Sequence, residues 1–116
     1  MDNITIYRID TLLEHIDLVL SDTKDLSIEQ IAGSSLLLRA TSFSISQIGE
    51  MMNQLEKQLG KQYPTLPWAD AKAMRNVIVH DYGKTDIEQI YSTIQNDLPI
   101  LKAAFLEIKS QLGINK

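Results

Sequence analysis

Apolar residues recur at three- and four-residue spacing along most of the chain, and no segment alternates in the way a half-buried strand would, so the pattern predicts helices throughout. Ile4, Ile9, Leu12, Leu13, Ile16 and Leu20 fall on one stripe and place a first helix over residues 3–21. Ser27-Ile28-Glu29-Gln30 has the form of a capping box, in which Ser and Gln side chains accept hydrogen bonds from backbone N–H groups of the first turn. It opens a long second helix that carries Leu36, Leu37, Ala40, Ile45, Ile48, Met51, Met52 and Leu55 to a stop at Gly60, with a kink expected at Gly33. Residues 61–66, with Tyr63-Pro64, form a loop. Pro67 suits the first turn of a third helix, where its missing N–H has no partner to lose. That helix is expected to run through Arg75-Asn76-Val77-Ile78-Val79-His80-Asp81-Tyr82 and end near Gly83. Thr85-Asp86-Ile87-Glu88 is a second capping box; Pro99 then divides the remainder into helical segments 86–98 and 99–112 with a bend between them, closed by Gly113. Four to five helices with short connections imply an all-α fold, an antiparallel four- to five-helix bundle.

Composition narrows the classes. The 116 residues make one domain, 1–116, and 44% hydrophobic against 22% charged residues is globular composition. With no cysteine, the chain has no disulfide, thiolate metal site or cysteine nucleophile. The first ten residues lack the basic-then-apolar form of a secretory signal, and no run approaches the ~18 apolar residues that span a bilayer. A cytoplasmic protein without membrane contact is the expectation.

The net charge of −4 argues at first against a polyanionic partner, but its distribution does not. Lys57, Lys61, Lys72, Arg75 and Lys84 face only Asp70 and Asp81 in that stretch, 5 − 2 = +3, which leaves −7 for the rest of the chain. A positive region on an acidic body can guide a polyanion to one place. The region also holds one of the two histidines. His15, beside Glu14 and Asp17, is expected to be structural or solvent-facing.

His80 follows Arg75 by five residues and precedes Tyr82 by two. At ~100° per residue, Arg75 and His80 lie roughly 140° apart around a regular helix, while Asn76 shares a face with His80 and Tyr82 shares one with Arg75. A single helix thus builds a poor Arg–His site. Two copies about a two-fold axis could set the arginine of each beside the histidine of the other. The expected homodimer interface includes the motif helix and the stretch of the long helix that bears Ile48 and Met52. An imidazole can move a proton to or from a ribose hydroxyl near neutral pH, and a guanidinium can hold two phosphate oxygens. Asn76 could orient either group. Asp70, Asp81 and Asp86 without a second nearby histidine make a poor metal site, so no metal or other cofactor is expected. On these residues alone, phosphodiester cleavage competes with a histidine that merely complements a helix dipole.

The surroundings add to this. Arg75-Asn76-x-x-x-His80-x-Tyr82 resembles the signature of the HEPN ribonuclease toxins of HEPN/MNT toxin–antitoxin pairs. Ile48-Gly49-Glu50, Tyr63-Pro64, Pro67-Trp68, Met74-Arg75-Asn76 and Asn96-Asp97-Leu98-Pro99 resemble further landmarks of that family in order, over about residues 36–106. The resemblance implies a homodimeric helical bundle that cleaves RNA without metal, with Arg75 and His80 catalytic and Asn76 supporting. It also implies a nucleotidyltransferase antitoxin as partner, which attaches AMP to Tyr82 and silences the toxin. Glu50 matches a family position without an assigned role. Asp81 and Gly83 depart from the family pattern, Asp81 setting a negative charge beside His80. The alternatives are a non-catalytic helical module that binds a nucleotidyltransferase or a nucleotide, and a purely structural dimerisation bundle.

Overall fold

The computed structural model describes residues 2–76 and 87–114. The fold is all-α: α1 (Asn3–Asp22), α2 (Ile28–Ala32), α3 (Ser35–Leu59), α4 (Asp70–Arg75), α5 (Ile87–Ser92) and α6 (Leu98–Ile114), with a π-helical turn (Thr93–Asp97) between the last two. Among the described residues there is no strand, and no helix is long and apolar enough to cross a membrane.

α1 begins where the Asp2 carboxylate accepts the Thr5 N–H at 2.7 Å. It buries Ile9, Leu12, Leu13 and Ile16 of the expected stripe, together with Val19, whereas Ile4 is exposed and Leu20 only partly buried. Ion pairs from Lys109 to Asp10 and from Lys102 to Asp17 run in opposite order along the two helices, so α1 and α6 lie antiparallel. α3 packs between α1 and α4, and Ile45, Ile48, Met52, Leu55 and Leu59 join Leu98, Leu101 and Phe105 in one core. Trp68 enters it edge-on to Phe105 and donates its indole N–H to the Tyr63 carbonyl at 2.9 Å, which secures the loop before α4.

Among the described residues several boundaries differ from the expectation, and α4 ends at Arg75, with Asn76 out of helical geometry, short of the expected end near Gly83. The long second helix is two: the capping box at Ser27 forms, but α2 ends at Ala32 and α3 starts afresh, with the Ser34 hydroxyl accepting the Leu37 N–H. A second N-cap makes a new helix cheaper than a kink through Gly33. α4 starts at Asp70, not Pro67, because Asp70 and Ala71 donate three residues back, to Pro67 and Trp68, in a tight lead-in turn. The division expected at Pro99 falls between Asp97 and Leu98, and a π-helical turn makes it. The Leu98 N–H bonds five residues back to Thr93, and this wider turn accommodates the proline whose ring and missing N–H disfavour an ordinary one. Gly113 does not close α6, which continues to Ile114.

Candidate functional site

α4 lies unusually close to α3 because residue 49 is glycine. A Cβ there would stand 2.6 Å from the Arg75 nitrogen, 2.7 Å from the Ala71 oxygen and 2.8 Å from the Met74 Cβ. Ile48 on one side of it is fully buried, while Glu50 on the other reaches the surface. The helix therefore delivers Arg75, its last residue, directly against Glu50.

Arg75 Nε donates to Glu50 Oε2 at 2.8 Å, and the Gln54 amide donates to Glu50 Oε1 at 2.9 Å. Gln54 sits one turn beyond Glu50 on the same face of α3, so the carboxylate is gripped at both oxygens. The Arg75 and Glu50 side chains are 44% and 35% exposed. An ion pair this open contributes at most about 1 kcal/mol to stability. Its consequence is geometric: it restrains a long cationic side chain whose Nη groups can take a phosphate.

The face of α3 that carries Glu50 also carries Phe43 and Leu36, spaced by seven residues and 53% and 71% exposed. Ile48 and Met52, expected at an interface between copies, are instead fully buried in the core of the protomer. Both belong to the single core cluster to which α1, α3, α4 and α6 contribute. Lys57, Lys61 and Lys72 are exposed, as a positive approach to a polyanion requires.

On the other side of α4, Asp70, Ala73 and Met74 face Gln89, Ser92, Thr93 and Asp97 across a cleft of about 240 Å³. Burial, and then the charge of Asp70, hold the Asp97 carboxyl above the ordinary carboxylate range. This acidic cleft was not expected from the sequence. The π turn that makes it has no marker except Pro99.

Of the candidate residues, Arg75 and Asn76 are described. Asn76 is exposed and follows the last turn of α4, its N–H reaching back to the Lys72 and Ala73 carbonyls at 3.2 Å. His80 and Tyr82 lie outside the described residues, as do Asp81, Gly83 and the Thr85 capping box. A separation of about 140° between Arg75 and His80 holds only on one regular helix, and α4 ends at Arg75. His15 is half-buried, with Nδ1 3.1 Å from the Ser44 hydroxyl and its ring edge-on to Phe43, a structural placement as expected. Among the described residues no group of three or more carboxylates and imidazoles is arranged as a metal site. Glu50 and Gln54 went unassigned in the sequence. Their four-residue spacing marks a shared helix face, but nothing in the sequence pairs Glu50 with an arginine 25 positions later.

A family profile described as "Ribonuclease HepT-like" matches residues 12–108. A Methanocaldococcus jannaschii protein named "Gamma-glutamylcyclotransferase and putative RNase" is 30% identical over 105 residues, 90% of this chain and 47% of its own length. The chain thus spans about half of that relative. A second protein of that organism, a "Putative RNase", is 25% identical, with 87% of each chain covered. A "Probable ribonuclease HepT" of Thermococcus cleftensis is 23% identical, covering 87% of this chain and 92% of its own. No solved structure matches.

Proposed function

This chain belongs to the ribonuclease HepT-like family, and on that premise we propose that it is a metal-independent endoribonuclease, the toxin of a type II toxin–antitoxin pair, working through Arg75 and His80. The observation that carries the reading is the Arg75 guanidinium, half-exposed at the end of α4 and restrained at Nε by Glu50. His80 takes the proton of a ribose 2′-OH as O2′ attacks the adjacent phosphorus, and the P–O5′ bond breaks as O5′ takes a proton from water. Arg75 neutralises the charge that builds on the phosphate oxygens. Asn76 supports the pair. The products are a 2′,3′-cyclic phosphate and a 5′-OH.

The site is completed by a second copy, Arg75 of one protomer meeting His80 of the other. Leu36 and Phe43, apolar, exposed and on the same face of α3 as Glu50, support a two-fold contact beside the ion pair. A nucleotidyltransferase antitoxin silences the enzyme by attaching AMP to Tyr82, two residues beyond His80, which sets a phosphate where the RNA phosphate would be held.

The test is cleavage of single-stranded RNA with EDTA present. Wild type should leave cyclic-phosphate ends, and His80→Ala should be slower by about 10²–10⁴-fold. Undiminished cleavage by His80→Ala overturns the assignment. A Tyr82→Phe protein that still accepts AMP and is silenced to the same extent overturns the switch.

A further inference from the structure

We propose that Glu50 is a positioning residue for Arg75, its carboxylate taking the Nε–H and so aiming the Nη groups at the phosphate. The inference rests on the ribonuclease reading above. Three features of the fold carry it together. The backbone of α4 is pressed onto α3 at Gly49, adjacent in the chain to Glu50, so the base of the arginine side chain has almost no freedom. The Gln54 amide holds the second carboxylate oxygen, so Glu50 is itself fixed rather than swinging in solvent. The contact then uses Nε, which leaves the guanidinium's four other N–H groups on Nη1 and Nη2, the pair that matches two phosphate oxygens.

Without Glu50, an arginine at this open surface would distribute its charge over many rotamers, and only a fraction of encounters would find it in place. That loss falls on the transition state, since a misplaced donor still attracts RNA but no longer meets the developing charge. A carboxylate with both oxygens occupied by donors suits holding, not proton transfer. The nearby negative charge also weakens ground-state attraction for phosphate, so its removal should not weaken RNA binding.

The experiment compares wild type, Glu50→Ala, Glu50→Gln and Arg75→Ala in steady-state cleavage of a short single-stranded RNA. The Arg75 Nε–H resonance of the three proteins that keep the arginine is followed by ¹⁵N NMR, Arg75→Ala serving to assign it. Glu50→Ala should lower kcat by about 10–100-fold with KM changed less than about threefold. Its Arg75 Nε–H signal should move to the position of solvent-exposed arginines. Glu50→Gln keeps an acceptor oxygen and should recover most of kcat; it also serves if Glu50→Ala does not fold. An unmoved Nε–H signal in Glu50→Ala overturns the proposal, as does wild-type kcat in that variant while Arg75→Ala is inactive. Glu50→Gln as slow as Glu50→Ala, with the arginine signal kept, would make Glu50 a proton-transfer group and overturn it too. Wild-type cleavage by Arg75→Ala sinks the catalytic role of Arg75 on which this proposal rests, and absence of cleavage by wild type sinks the ribonuclease reading; neither outcome involves a change at Glu50.

Discussion

Gly49→Ala puts the smallest possible side chain where α3 and α4 touch. Taken alone, glycine to alanine within a helix is favourable by about 1 kcal/mol. Here the new carbon meets Arg75 N, Ala71 O and Met74 Cβ at 2.6–2.8 Å, all well inside van der Waals contact. Two of these are backbone atoms and the third is the Cβ next to the backbone, so none can rotate away. The whole of α4 must retreat by something near an ångström. Inserting a methyl into such packing costs about 1–3 kcal/mol, which outweighs the gain in helix propensity and leaves a net loss of up to about 2 kcal/mol. For a domain of this size that lowers Tm by up to about 8–12 °C. The same retreat carries Arg75 away from Glu50, and displacement by about 1 Å can cost on the order of 10²-fold in rate. Circular dichroism melting and RNA cleavage on the same preparation measure both effects. Cleavage should fall far more than the folded fraction does at the assay temperature. A Gly49→Ala protein with unchanged Tm and unchanged cleavage would refute the close approach and the dependence of Arg75 on it.

Gly113→Ala is the counterpart, since a Cβ there meets nothing within 4 Å among the described residues; it should raise Tm slightly, by helix propensity worth at most about 1 kcal/mol. Asp97→Asn should stabilise the fold near neutral pH. The Asp97 carboxyl titrates above its ordinary range because burial, and then Asp70, oppose its charge. Its ionisation therefore removes stability as pH rises through that raised value, and the amide cannot ionise. Melting curves of the two proteins should diverge at about pH 7 and converge at about pH 3, where Asp97 is protonated in both folded and unfolded chains. Ser42→Ala should raise stability by up to about 1 kcal/mol in urea titration, because the buried Ser42 hydroxyl has no hydrogen-bond partner among the described residues.

Helix spacing and caps made much of this fold legible. The stripe of α1, the capping box at Ser27 and the end of α3 near Gly60 follow from local chemistry that a sequence displays. Ser34 was missed because a serine within an apolar helical pattern does not announce a fresh N-cap. The π turn before Pro99 was missed because a proline signals that an ordinary turn fails, not which remedy the chain adopts. Ile48 and Met52 lie on an apolar stripe of α3 that the protomer's own core takes up, which spacing alone does not distinguish from an interface. For the site, the residues Gly49, Glu50 and Arg75 were all in view, yet their relation is tertiary. A glycine's value as a close-packing point, and a carboxylate's grip on an arginine 25 residues away, exist only once two helices are set side by side.

A mixing experiment shows whether the two protomers share a site. If Arg75 of one protomer works with His80 of the other, Arg75→Ala and His80→Ala are each inactive alone, because every site lacks one member. Refolded together, they form heterodimers in which one of two sites holds an intact arginine and an intact histidine. With random pairing, half the dimers are mixed and half their sites are intact, so roughly a quarter of wild-type RNA cleavage should return. Restoration to about that level, in EDTA and with cyclic-phosphate ends, is the result predicted. A mixture as inactive as its parts, beside an active wild type refolded in the same way, would contradict the composite Arg75–His80 site.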